Sequence, residues 1–166
     1  MSTPFRLQLP RSILEEMVTH ARVELPNECC GILAGLLEIA DESERPRIGR
    51  VLRRYPLRNE AESPIEYLSE PMSLFAADRD MRRQGTEVLA IYHSHPTSHP
   101  VPSRKDIERN NHGSEVVHII ISLAGDEPEF RAWWLSPDSF READWELIDC
   151  APEHLSHDAN ADHPND

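Results

Sequence analysis

What this sequence most lacks is positive charge: 17 Lys and Arg stand against 30 Asp and Glu in 166 residues, a formal charge of −13. Nucleic-acid binding needs clustered cations that displace counterions from phosphates, and an anionic membrane surface needs a polybasic face. The composition excludes both as partners. No apolar run approaches the ~20 residues of a membrane helix, and the opening Met1-Ser2-Thr3-Pro4-Phe5-Arg6 has no apolar signal-peptide core, so the chain reads as soluble and cytoplasmic. Cysteine is also sparse. Cys29 and Cys30 are adjacent and Cys150 stands alone, an odd count without CxxC spacing that argues against a disulfide scaffold. None is needed, because a domain of ~150 residues buries about 68–70% of its unfolded surface.

Nothing in residues 5–150 marks a repeat or an interdomain linker, so the expectation is one domain over residues 1–150. Residues 151–166 carry Glu153, Asp158, Asp162 and Asp166 with no Lys or Arg. This polar stretch, with His154, His157 and His163, predicts a disordered acidic tail rather than a metal site.

Within the body, Ile13, Leu14, Met17, Val18 and Ala21 have the spacing of one buried helix face, ending before Pro26. Ser69-Glu70-Pro71 reads as a second helix start, with Met72, Phe75, Ala76 and Met81 as its apolar positions and Gly85 past its end. Strand-like runs fall at 28–37, 48–57, 65–68, 87–92, 116–123 and 130–135, with 145–148 weaker. The stretches 40–46, which is acidic, and 59–64 read as surface connections. The nearly continuous apolar run Val116-Val117-His118-Ile119-Ile120-Ile121 suits a strand covered on both faces. The mixture predicts an α/β domain with a central sheet between helices. Trp133 and Trp134 should face opposite sides of their strand, one in the core and one covered by a neighbour. Cys29 and Cys30 read as packing residues, His112 as an exposed helix end and His118 as a satisfied sheet residue.

The chemistry concentrates in Ile91-Tyr92-His93-Ser94-His95-Pro96 and Pro102-Ser103-Arg104-Lys105-Asp106. Residues i and i+2 of a strand share a face, so His93 and His95 can approach one cation. Asp106, in the first turn of a helix expected over 104–112, can add a third ligand and leave a tetrahedral zinc with its fourth position open. Hydrolysis at such a metal needs a base that does not ligate it; the candidate is Glu28, at the start of a buried strand. Ser103 has a hydroxyl suited to an oxyanion, although Ser103-x-x-Asp106 is equally a helix cap. With nine His in the chain, random order gives about 0.5 His-x-His pairs, but the whole pattern with Pro, Ser and Asp at these spacings arises on the order of once in several thousand chains.

These residues resemble the JAMM metalloproteases of the MPN/Jab domain class, whose signature is an upstream Glu, then His-Ser/Thr-His-Pro, a short spacer and Ser-x-x-Asp. The likeness covers most of residues 5–150, and Pro26-Asn27-Glu28-Cys29-Cys30-Gly31 is similar to the prokaryotic stand-alone members. It implies a three-layer α/β/α fold with a central mixed sheet like that of cytidine deaminases. It further implies zinc on His93, His95 and Asp106, Glu28 as general acid and base, and Ser103 beside the tetrahedral intermediate. The implied substrate is a peptide or isopeptide bond after the C-terminal Gly-Gly of a ubiquitin-like or sulfur-carrier protein, a carrier–cysteine adduct included. His99, inside the spacer, departs from the pattern and reads as an exposed loop residue. A non-catalytic MPN scaffold is the alternative, although such domains typically lack the ligand set that is complete here. A zinc deaminase would need H-x-E…P-C-x-x-C, which is absent.

Overall fold

Phe5, Leu7 and Leu9 alternate with Arg6 and Gln8, and that period of two makes a strand of the segment that leads into the first helix. In the computed structural model, which describes residues 5–38 and 47–149, β1 (Phe5–Pro10) is followed by α1 (Arg11–Val23), β2 (Cys30–Glu38), β3 (Arg47–Leu57), α2 (Pro71–Gln84), β4 (Glu87–His95), α3 (Arg104–Glu108), β5 (Val117–Ser122), β6 (Glu129–Leu135), β7 (Phe140–Glu142) and β8 (Trp145–Ile148). The expected 40–46 connection and the 151–166 tail lie outside the described residues.

The eight strands form one mixed sheet in the order β7-β6-β5-β4-β2-β3-β1-β8. β4 is central, antiparallel to β2 and parallel to β5. β7 and β8 end the sheet on opposite sides, yet only Ala143 and Asp144 separate them in the chain. The sheet therefore curls until its edges approach, with Ala143 N donating to Ala132 O (2.8 Å) and Leu7 N to Asp144 O (3.0 Å).

Alternation along the central strands assigns the two faces. Leu33, Leu89, Tyr92, Ile119, Ile121 and Trp134 pack with Ile13, Leu14, Met17 and Ala21 of α1, while Ile32, Ala34 and Ile91 pack with Ala77 and Met81 of α2. That is a helix, sheet, helix sandwich, the α/β/α arrangement expected above. Full burial of Leu7, Leu9 and Met17 contributes about 1.5–3 kcal/mol each.

Several local expectations need correction. In α2, Met72 and Phe75 are 72% and 65% exposed and Ala76 is exposed too. The helix docks through Asp80, which accepts from Tyr55 Oη (2.6 Å) and Arg53 (2.7 Å) on β3, so it needs little apolar surface. Its ends are as read: Glu70 accepts from Met72 N and Ser73 N, and Gly85 is left-handed at φ +67°. Residues 65–68 do not form a strand. Their backbone bonds go to nearby loop groups instead: the Asn59 side chain donates to Glu66 O (3.2 Å) and accepts from Leu68 N (2.9 Å), Leu68 O accepts from Glu60 N (2.7 Å), and Ile65 N donates to Ser63 Oγ (3.3 Å). α3 stops at Glu108 rather than at 112, because Asn110 competes for the backbone, accepting from His112 N and donating to Gly113 O. Strands β1 and β7 are additional to those read from sequence.

Candidate metal centre

The His pair arrives at the carboxyl end of β4 as strand geometry requires. Cys30 of β2 pairs with His93, and one step further Ser94 clamps the two strands, its N donating to Cys29 O (3.1 Å) and its Oγ accepting from Cys29 N (2.7 Å). Glu28 stands two residues before β2, just past these bonds, and comes near enough to His93, His95 and Asp106 for their charges to act on its carboxyl. The adjoining Gly31 tolerates no side chain, for a Cβ there would lie 2.2 Å from the Tyr92 ring.

The loop after Pro96 is pinned at three successive residues before it returns Asp106 to the pair. Ser122 Oγ donates to Ser98 O (2.6 Å), His95 Nδ1 bonds His99 O (2.8 Å), and Trp133 Nε1 donates to Pro100 O (2.9 Å). His99 thus takes part through its carbonyl while its side chain is exposed. The two tryptophans divide as expected: Trp134 belongs to the α1-side core, and Trp133 is covered by this loop and by the edge of Phe140.

Ser103 caps α3 by accepting from Asp106 N, and Asp106 reciprocates by accepting from Ser103 N (2.7 Å), a capping box. Ser103 Oγ also donates to Asp106 Oδ2 (2.8 Å). The serine and the cap fix the carboxylate's orientation.

The structure brings His93, His95 and Asp106 together. His93 Nε2 and His95 Nε2 are 3.2 Å apart, His93 Nε2 and Asp106 Oδ1 3.2 Å, and His95 Nε2 and Asp106 Oδ2 3.4 Å. A tetrahedral cation with ligand distances of about 2.0–2.1 Å has ligand–ligand edges of about 3.3–3.4 Å. The two ring nitrogens are about one such edge apart and each lies about that far from a different oxygen of the Asp106 carboxylate, so the three residues form a possible metal site with donors that fit zinc. Burial works against the Asp106 charge, but the two imidazoles and the Ser103 N–H hold its carboxyl far below the usual range. Burial likewise pulls His95 down, and its bonds to Asp106 and the His99 carbonyl outweigh that pull, leaving it raised.

Glu28 is 3% exposed and its Oε2 has no hydrogen-bond partner among the described residues. Burial pushes its carboxyl up to about 7, against the pull of His93 and His95. A proton-exchanging group close to neutrality suits general acid and base work. Cys29 and Cys30 are fully buried free thiols pushed up to about 12 by desolvation, so they pack and do not react.

Sequence reading missed three contributors. Asn59 donates to Glu28 O (3.0 Å) as well as to Glu66 O, and accepts from Ala61 N and Leu68 N, so one side chain ties the segment over the site to Glu28. Tyr67 stacks on His93. His118 lines, with Glu66, Tyr67, Leu68, Asp106 and Arg109, a cavity of about 540 Å³ that opens beside Asp106. No local pattern marks the first two, whose contacts are distant in sequence. His118 is not satisfied as expected: it is 2% exposed and its Nε2 lacks a partner among the described residues.

Burial, reinforced by His93 and His112, holds the His118 imidazole down to about 3. The folded chain then refuses a proton that the unfolded chain accepts below about 6.5. This contribution to stability is complete above pH 6.5 and is lost as the pH falls toward 3, at about 1.4 kcal/mol per pH unit. Urea unfolding in chelator at pH 7 and pH 5 should show the parent losing about 2 kcal/mol more than His118→Asn.

The curled mixed sheet, with two histidines and an aspartate gathered at the end of its central strand, is that of a JAB-domain protein. The chain belongs to the prokaryotic homologues of the JAB domain, whose family model matches residues 10–136. It is 39% identical over 103 residues to a probable TtuB-protein conjugate cleaving protease of Thermus thermophilus, covering 61% of this chain and 62% of the relative. It is 32% identical over 145 residues to a desampylase of Haloferax volcanii (84% and 95%), and 32% identical over 106 residues to the CysO-cysteine peptidase of Mycobacterium tuberculosis (64% and 66%). The match thus spans just under two thirds of the Thermus and mycobacterial relatives. A Desulfitobacterium hafniense protein of known solution structure shares 33% identity and a TM-score of 0.76, over 89% of this chain and 97% of that one. No helix among the described residues is long and apolar enough to cross a membrane.

Proposed function

We propose that this chain is a cytoplasmic zinc peptidase that hydrolyses the bond after the C-terminal Gly-Gly of a ubiquitin-like or sulfur-carrier protein, a carrier–cysteine adduct included. The chain is a hydrolase of JAMM type, like the protease, desampylase and CysO-cysteine peptidase to which it is similar. The observation that carries the reading is the buried cluster in which the His93 and His95 ring nitrogens are 3.2 Å apart and each lies 3.2–3.4 Å from an Asp106 carboxylate oxygen, with Glu28 beside the cluster and outside it.

Bound by those three residues, zinc supplies Lewis acidity toward a carbonyl and toward water. Glu28 accepts the proton of the attacking water and returns it to the departing amine, which a carboxyl near neutrality does in both directions. Ser103 gives its hydroxyl proton to Asp106 in the resting chain, and turning that hydroxyl from Asp106 toward the reacting carbonyl would let it support an oxyanion. The cavity beside Asp106 receives the carrier's narrow glycine tail. Ile65, Leu68, Met72 and Phe75 are 53–72% exposed in a segment that contributes Leu68 and Leu74 to the cavity wall, apolar surface suited to a protein substrate. The scaffold alternative has no observation in its favour, since no ligand position is vacated.

The deciding experiment incubates the chain with candidate carriers extended beyond Gly-Gly and reads intact mass. The expected product is the carrier ending in Gly-Gly, with chelator abolishing its formation. Zinc-loaded protein that binds such carriers and leaves every one intact would establish the scaffold instead.

A further inference from the structure

The two imidazoles of the centre are fixed by different means. Metal-binding histidines ordinarily donate their second ring nitrogen to a carbonyl, carboxylate or water, which sets the ring's orientation. His95 follows that rule, its Nδ1 lying 2.8 Å from His99 O. His93 does not: its Nδ1 is buried and has no hydrogen-bond partner among the described residues. What lies against its ring is Tyr67, with centroids 4.7 Å apart and planes inclined by 29°.

We propose that Tyr67 is the positioning residue for His93, its ring face replacing the hydrogen bond that His93 lacks. The inference rests on the metallopeptidase reading above and concerns a residue to which that reading gives no role. A ring can restrict another only if it is itself held, and Tyr67 is held on both sides. Asn59 fixes the backbone before and after it, donating to Glu66 O (3.2 Å) and accepting from Leu68 N (2.9 Å). The Glu66 side chain reaches across the cavity to Lys105 (3.1 Å) and Arg109 (3.0 Å), tying the segment to α3 and its downstream turn. Asn59 also bonds Glu28 O (3.0 Å), so one polar side chain sets the height of both the stacked ring and the candidate base. An imidazole polarised by a bound cation is further favoured over an electron-rich ring face. The contact is made by the ring and not by the hydroxyl, which makes phenylalanine the conservative replacement.

The test measures zinc affinity by chelator competition in the parent, Tyr67→Phe and Tyr67→Leu, and records histidine ring-proton resonances of the metal-free chains. Tyr67→Phe should bind within about twofold of the parent, whereas Tyr67→Leu should bind about tenfold more weakly or worse, the scale on which a ligand's supporting partner matters. His93 ring protons should lie upfield in the parent and in Tyr67→Phe and lose that displacement in Tyr67→Leu. Should Tyr67→Leu fail to fold, Tyr67→Met keeps comparable apolar bulk and takes its place. A non-aromatic variant that binds zinc as tightly as the parent overturns the inference alone. So does a Tyr67→Phe loss equal to that of Tyr67→Leu, which would move the role to the hydroxyl. A parent chain that binds no zinc overturns the metal reading itself.

Discussion

Glu28→Gln is expected to bind zinc as tightly as the parent and to lose at least about 10²-fold in kcat/KM on a Gly-Gly-linked substrate, the lower end of what a positioned acid or base contributes. The geometry isolates the chemical role. The side chain is 3% exposed and its Oε2 has no partner among the described residues, so an isosteric amide breaks no bond to them at that oxygen. Burial is the main cause of the raised carboxyl, up to about 7, which means that the ionised form is disfavoured where it stands. The neutral amide escapes that penalty, and the metal-free variant should unfold at equal or higher denaturant than the parent at pH 8. Unchanged zinc content, unchanged or greater stability and lost turnover together identify a proton-transfer group. A variant that still cleaves at near the parent rate would remove Glu28 from the mechanism.

How much of this was readable beforehand divides along sequence separation. His93 and His95 lie two apart on a strand and Ser103 and Asp106 three apart at a helix start, so strand and helix periodicity alone place their side chains. Glu28 belongs to the same logic at one remove, because the β2–β4 pairing carries it to the end of β4. The elements that failed lacked such local determinants. β7 has three exposed residues, too few to display a period; β1 is the exception, a six-residue strand whose Phe5, Leu7 and Leu9 do alternate with Arg6 and Gln8 but which runs straight into α1. The 65–68 segment has strand-like residues, but Asn59 supplies bonds that a neighbouring strand would otherwise make. Met72 and Phe75 have helical spacing, yet the Asp80 contacts to Arg53 and Tyr55 turn them outward. Tyr67 and Asn59 act on the site across 26 and 31 residues, to His93 and to Glu28, and no pattern along the chain announces contacts of that range.

His95→Ala is expected to abolish zinc binding in the range where the parent is saturated, and hydrolysis with it. Loss of a partner that merely supports a ligand lowers metal affinity by roughly 10–100-fold; loss of a ligand from a set of three must exceed that, since only two protein donors remain. The substitution is chosen at His95 because Asp106 also caps α3 and His93 also carries the Tyr67 ring, so those variants would mix several effects. The readout need not involve turnover. A ligand that binds only the folded chain stabilises it by about 2.7 kcal/mol at a hundred times its dissociation constant, so zinc should move the parent's urea midpoint upward and leave His95→Ala where chelator leaves it. The metal-free variant loses the His95 bonds to Asp106 and the His99 carbonyl while Asp106 keeps its Ser103 contacts at 2.7 and 2.8 Å, so each protein is compared with its own chelator-treated form. A zinc-dependent midpoint shift in His95→Ala equal to the parent's would place the metal elsewhere, and the triangle of donors at the end of β4 would then have to be read as a buried hydrogen-bonded cluster.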